Sequence, residues 1–432
     1  MTRSISTNFG ESLSTESKKL VDEVRLKITQ PMHPNFDKDF NIYRFVLASE
    51  RILKKKKDIV ETASKTLNNH LRIRKAFNID NLPDLPFPEN PIYSQRILPM
   101  GTISEALDSC NKFLWYGEYR TLNIEVNISP FIKLLQEKHH AINDLPLSKE
   151  LFLEEKTGRL SGIRHIIDLN GYEINKFTMI YATNGSLTYF SQLFHFENYP
   201  ELIGPVEIIN TSKWIHVPYK IARTMLPGGF TERFRLYDEN FLPNLLKDVK
   251  IEDIPVALGG KNEQARFQAA EPEYFKRKVL DPPTNMETIV ILPRKRHQIY
   301  VDIKEKGKRL QWYFTTDADI YFGIFYESSH QILSSKKAIS DEQEEQEIDT
   351  DALEMVYPYF KLTTRFIPEV DSMECTRPGR YWIIICNRLS WIRRKTMNLI
   401  IQLVDNESGV AMRCYSDGTL ENCSKPFVTN CL

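Results

Sequence analysis

Between Gly204 and Gly260 the spacing of apolar residues switches from strand-like to helical and back again. Val206 to Ile209 is a short apolar run whose one acid is Glu207, bounded by Gly204-Pro205 and Asn210. Such a run predicts an interior strand of a parallel sheet. From Ser212 to Leu226 the apolar residues Trp214, Ile215, Val217, Ile221, Ala222, Met225 and Leu226 recur at roughly helical spacing, with Lys213, Lys220, Arg223 and Thr224 largely on the other side. That pattern predicts a two-faced helix. Pro227-Gly228-Gly229 ends it, and Arg233 to Tyr237 alternates polar and apolar as a strand does. Asp253-Ile254-Pro255-Val256 and Gly259-Gly260 close the segment.

The same reading along the rest of the chain gives an order of parts. Residues 1–30, rich in Ser, Thr and Lys, are expected to be largely disordered before a helix around Leu20 to Ile28. A helical region over 31–80 follows, in which Ile42, Phe45, Val46 and Ile52, then Ile59, Val60, Ala63, Leu67, His70 and Leu71, keep helical spacing. The Lys54 to Lys57 run between them reads as a solvated junction, or as a contact with an anionic membrane. Pro83, Pro86, Pro88 and Pro91 mark an extended entry into the main domain, 81–260. There, Ile97 to Met100 and Gly117 to Asn123 are expected sheet pieces, Pro130 to His140 a helix, and Ile163 to Leu169 a buried strand. A long helix is predicted from Ile174 to about Glu197, with Phe177, Ile180, Tyr181, Leu187, Phe190, Leu193 and Phe194 on one broad side. Alternation of helix and strand implies a mainly parallel α/β sheet.

A polar stretch, 261–285, separates this from a block of different character. Over 286–405 short strands are predicted at Ile299 to Ile303, Leu310 to Thr316, Ile320 to Glu327, Lys361 to Pro368, Arg380 to Asn387 and Met397 to Val404, which suggests an all-β sandwich. An acidic insertion at 336–352 interrupts it, and like charges at that density favour disorder. Residues 406–432 are expected to be a disordered tail.

Tyr199-Pro200-Glu201, Ile208-Ile209-Asn210, Asp168-Leu169-Asn170-Gly171 and Ile251-Glu252-Asp253-Ile254-Pro255-Val256-Ala257-Leu258-Gly259-Gly260 stand in an order and spacing that resembles the CRAL-TRIO lipid-binding family. The helical region before them is similar to that family's N-terminal cap. Trp312-Tyr313-Phe314 before Thr315-Thr316-Asp317, then Phe322-Gly323-Ile324-Phe325 and Arg377-Pro378-Gly379-Arg380-Tyr381, resemble a GOLD domain, the β-sandwich of Golgi-trafficking proteins. The expected fold is therefore an α/β CRAL-TRIO domain with a helical cap, followed by a GOLD sandwich, as in supernatant-protein-factor-type and tocopherol-associated proteins and, for the first part, secretory-pathway phosphatidylinositol-transfer proteins.

Lys plus Arg equals Asp plus Glu at 57 each, so no global field draws the chain to nucleic acid or acidic lipid. No apolar run approaches the roughly 20 residues that span a bilayer. The start lacks a signal-peptide core, and a cytoplasmic protein that touches membranes transiently is expected. Six cysteines without a C-x-x-C pair read as reduced thiols, and no metal or cofactor is expected besides a bound lipid. No G-x-S-x-G, phosphate-cradling loop or H-E-x-x-H is present in the sequence, so no catalytic residues are assigned and the chain is not expected to be an enzyme.

Two acyl chains carry about 30 methylenes, whose exposure to water costs over about 20 kcal/mol, so a protein pocket that replaces the bilayer removes most of the exchange barrier. The resemblance implies a pocket and gate lined by Trp214, Ile215, Val217, Ile221, Met225, Phe230, Phe177, Tyr181, Phe190, Ile163 and His165. It also implies that Glu201, Arg233 and Arg74 meet a phosphoinositide head group, although Phe230 stands where the family has a Thr. Glu201 and Arg233 read equally as a buried ion pair, and His165 as an interior histidine. The implied activity is binding of one lipid, a phosphoinositide or other lipophile, and its exchange or presentation at membranes. The alternative is a lipid-sensing adaptor whose GOLD domain recruits trafficking or signalling partners without net transfer.

Overall fold

The computed structural model describes residues 10–76, 78–81, 102–118, 120, 153–172, 198–212, 216, 233–265, 283–318, 320–329, 331–332, 348–362, 368–388, 390–423 and 426–427. By internal contacts the chain divides into two units, 1–74 with 78–277, and 75–77 with 278–432.

The first unit opens with three helices, α1 (Thr15–Arg25), α2 (Asp39–Glu50) and α3 (Lys56–Ala76). The N-terminal stretch departs from the expected disorder: from Gly10 onward it is built into the fold. Ser14 caps α1 through the Ser17 amide, Val21 and Val24 are fully buried, and Ser12 bridges to Arg159. Gly10, at φ +80°, passes so close to the strand region that a Cβ there would lie 2.3 Å from the Cys110 carbonyl oxygen. The polar residues that suggested disorder are the outer side of an amphipathic helix and its cap. Helix α2 is buried nearly all round, and its apolar residues join those of α1, α3 and Leu160 in one core.

The central sheet has the spatial order β1 (Thr102–Leu107), β2 (Phe113–Glu118), β3 (Ile163–Asp168), β4 (Ile203–Ile209), β5 (Phe234–Leu236). Strand β1 is antiparallel to β2, whereas β2 through β5 run parallel. Strand β2 overlaps the predicted Gly117 to Asn123 piece at Gly117 and Glu118 and begins earlier, at Phe113, with Leu114 and Tyr116 in the core; 119 and 121–123 lie outside the described residues. The sequence-predicted pieces at 97–100, 130–140 and 174–197 fall outside the described residues, as does most of 212–226.

The second unit holds two antiparallel sheets. One has the order β10 (Glu354–Leu362), β9 (Ile320–Glu327), β12 (Gly379–Cys386), β7 (Arg296–Ile303). The other runs β11 (Glu369–Cys375), β8 (Lys308–Thr316), β13 (Lys395–Asp405), β14 (Ala411–Cys414), β15 (Leu420–Cys423), with β6 (Glu287–Ile291) also on β13. Their inner faces meet at Trp312, whose ring is 5.6 Å from Phe322 and 4.7 Å from Tyr357, as two layers of a sandwich do. Residues 411–423 form a hairpin on the edge of β13 instead of the expected disordered tail. Buried Ala411 and Cys414 anchor it there.

Candidate functional site

Side chains alternate across a strand, so the register of the parallel sheet assigns every residue to one of two faces. The pairs Leu114 with Arg164, Tyr116 with Ile166, Ile166 with Glu207 and Glu207 with Arg235 define the first face. Part of it packs on the segment after β5, where Phe241, Leu245, Val249, Ile254 and Leu258 cover Leu114, Tyr116, Ile166 and Ile209. The rest is ionic. Arg164, 1% exposed, donates to Asp108 at 2.6 Å, to Asp248 at 2.9 Å and to Glu207, and Arg235 reaches Glu207 at 3.2 Å. Burial alone would lower the Arg164 pKa, but the surrounding carboxylates raise it further, so the guanidinium stays charged.

The opposite face carries Phe113 and Trp115 on β2, Ile163, His165 and Ile167 on β3, Val206 and Ile208 on β4, and Phe234 and Leu236 on β5. Its one titratable side chain among the described residues of β2–β5 is His165: burial lowers its pKa to about 3, and the ring lies flat on Trp115 at 4.3 Å with 12° between planes. Ile163 and Val206 are buried, while Trp115, Ile167, Ile208, Phe234 and Leu236 are each only half-buried. Of the predicted pocket residues, Ile163 and His165 thus share this apolar face. Trp214, Ile215, Val217, Ile221, Met225, Phe230, Phe177, Tyr181 and Phe190 lie outside the described residues.

At the N-terminal edge of the same strands sits a buried charged cluster. Glu201, in a left-handed turn at φ +61° before β4, accepts two hydrogen bonds from Arg51, at 2.9 and 3.0 Å, and a third from Arg233, which precedes β5. Burial would raise its pKa, but Arg233 and Arg51 outweigh that and bring it down to about 2. Arg51 also meets Glu11 at 3.2 Å. Beside them Lys112 donates to the Ser161 carbonyl at 2.7 Å, while Arg44 binds Glu154 at 2.6 Å and the Ser161 and Glu201 carbonyls at 3.2 Å. Four cationic side chains here face three carboxylates.

The structure therefore joins Glu201 to Arg233 and adds Arg51, the residue just after α2. Arg74 is engaged elsewhere: it pairs with Asp80 at 2.7 Å and stacks over Phe36 at 4.5 Å. Arg51 follows Ala48-Ser49-Glu50 at the end of α2, and its charge just beyond an apolar helix was the available signal. At the other edge, Asp168 accepts from the Asn210 side chain at 2.7 Å, so two of the motif residues clamp the ends of β3 and β4. Asn210 leads into the segment before β5, and Thr211 holds His216 at 3.0 Å and the Tyr237 carbonyl at 2.8 Å. Among the described residues no group of His, Cys, Asp or Glu is arranged to hold a metal ion, and no helix is long and apolar enough to cross a membrane.

Known proteins are similar to this chain along most of its length. Residues 13–82 match a domain of unknown function, and 273–411 match a model described as F28H7_8_C-like, C-terminal domain. That description carries no GOLD designation. A CRAL-TRIO domain-containing protein, F28H7.8 of Caenorhabditis elegans, is 21% identical over 90% of each chain. The crystal structure of Sfh5 aligns with 61% of this chain and 96% of its own at 14% identity and a TM-score of 0.41. Residues 103–260 match the model of the CRAL/TRIO domain, a family that binds lipophilic ligands.

Proposed function

We propose that the first unit binds a single lipophilic molecule against the apolar face of its sheet and exchanges or presents that molecule at membranes. The observation that carries the reading is chemical: the parallel strands β2–β5, ionic on one face, offer on the other a surface of half-buried aromatic and branched aliphatic residues around a histidine whose pKa burial lowers. Burying an acyl chain there recovers about 0.8 kcal/mol per methylene, the term that dominates lipid partitioning. Because acyl chains resemble one another, the polar cluster at the strand edge would set selectivity. Its excess of cations over carboxylates favours a phosphate-bearing head group such as a phosphoinositide, with Arg233 as the contact and Glu201 and Arg51 holding it in position. On this reading the protein works without covalent turnover, in the cytoplasm with transient membrane contact. The sandwich of the second unit would supply GOLD-type partner contacts in vesicle trafficking.

Native mass spectrometry of protein re-isolated from mixed-lipid vesicles tests the first step. One bound lipid per chain is expected, and a chain that returns empty from every vesicle composition overturns the proposal. Arg233→Ala is expected to weaken phosphoinositide pickup more than pickup of an uncharged lipophile; equal losses would reduce Arg233 to a folding role. Transfer between vesicles by catalytic amounts of protein distinguishes a carrier from an adaptor that holds one equivalent and stops.

A further inference from the structure

Among the described residues of the second unit, the largest exposure of apolar side chains coincides with two basic triplets, Arg294-Lys295-Arg296 and Arg393-Arg394-Lys395. Trp391 and Ile392 are 76% and 91% exposed, and Leu292 is 56% exposed. They lie on two loops, one leading from β6 to β7 and the other from β12 to β13. These loops are fastened together from below. The buried Asn387 side chain donates to the carbonyls of Ile291 and Arg393, at 3.0 Å each, and to that of Leu292 at 3.2 Å. The Arg294 amide donates to the Asn387 and Ser390 carbonyls at 3.1 Å, so the pair forms one braced tip.

The tip is also cationic. Arg294, Lys295, Arg393 and Arg394 are all exposed, and the acid that meets them is Asp317, 4.0 Å from Arg393. Arg294 adopts φ +61°, a conformation in which Gly or Asn is less strained, and its guanidinium lies 3.7 Å above the Trp391 ring. An exposed indole flanked by an isoleucine and ringed by arginines suits the boundary between head groups and acyl chains. There the ring is half in hydrocarbon and the cations meet phosphate and carboxylate groups.

We propose that this tip is a membrane-docking site that inserts Trp391 and Ile392 into the interfacial layer of an anionic bilayer while Arg294, Lys295, Arg393 and Arg394 neutralise its surface. The inference uses none of the pocket residues and stands whether or not the pocket holds lipid. Each basic residue near an anionic surface strengthens binding by about fivefold, and the indole and isoleucine add a contribution that salt does not screen.

The test is co-sedimentation of the full chain with vesicles of phosphatidylcholine alone and with vesicles containing about one-third phosphatidylserine. Binding is expected only to the second kind, weakened about tenfold or more by Arg393→Ala with Arg394→Ala, and by Trp391→Ala with Ile392→Ala. All four side chains project into solvent, so the melting temperature should hold in both variants. Brominated lipids provide an independent readout in the intact tip: they should quench wild-type tryptophan fluorescence and quench Trp391→Phe markedly less. Binding that ignores lipid charge, or that both double variants retain in full, overturns the proposal. So does a Trp391→Ala with Ile392→Ala variant that turns a dimer into a monomer while leaving vesicle binding intact, since the tip would then be a contact between copies.

Discussion

The two faces of the β2–β5 sheet are built from the same strands yet solve opposite problems. On one, Arg164 is saturated by Asp108, Glu207 and Asp248 and the hydrophobic part is closed by the segment from Phe241 to Leu258. On the other, apolar residues stand half-buried and the one ionisable side chain is held neutral. The ionic face contributes uniqueness of register more than stability. A one-residue slip would bring Arg164 to the apolar side, where an unpaired charge is prohibitive, and would take from Asp108, Glu207 and Asp248 the guanidinium they share. The apolar face tolerates variation in shape, which is the property a site for flexible acyl chains needs.

The largest expected effect lies on the ionic face. Arg164→Met removes the guanidinium shared by Asp108, Glu207 and Asp248, leaving Arg235 beside the last two, and should destabilise the first unit by about 3–5 kcal/mol in urea unfolding. The matching change on the apolar face, Trp115→Ala, removes a partly exposed ring and its stack on His165, and should cost only about 1–2 kcal/mol. Lipid retention, measured by native mass spectrometry, should show the reverse disparity relative to stability, with Trp115→Ala folded but largely empty. Equal stability losses from the two changes would break the contrast between the faces.

Much of this contrast was legible in the sequence, and the part that was not has a physical reason. The apolar run at Val206 to Ile209 and the strand at Ile163 to Leu169 announced a buried sheet, and Glu201 with Arg233 announced a charged pair. The partner that completes that pair, Arg51, lies 150 residues before Glu201, and periodicity within a window carries no information about which helix end will meet which strand edge. Arg164 was hidden for a similar reason. A cation inside an apolar strand signals burial only once its acids are known, and Asp108 and Asp248 come from distant loops. The order of residues 10–19, ahead of the predicted helix around Leu20 to Ile28, and of the 411–423 hairpin was missed because these stretches are mostly polar, and the few residues that dock in the hairpin, such as Ala411 and Cys414, are too sparse to raise a local pattern.

The smallest expected effect is a pH dependence that belongs to the apolar face. His165 has a folded pKa of about 3 against 6.5 for the free side chain, so the unfolded chain binds its proton first as pH falls. The stability associated with this burial is therefore complete above about pH 6.5 and erodes progressively toward pH 3, amounting to roughly 1 kcal/mol by one unit below the free value. His70 adds in the same direction, since burial and then the neighbouring Arg74 lower its pKa well below 6.5. Glu201, with its depressed pKa, contributes in a lower window, from about 4.5 toward about 2. His165→Phe keeps an aromatic ring against Trp115 and removes the titration, so its stability between pH 6.5 and 4.5 should fall less steeply than that of the wild type. The slope should flatten again in a further His70→Phe variant. A wild-type slope that survives both substitutions would place the acid-sensitive groups elsewhere than at His165 and His70.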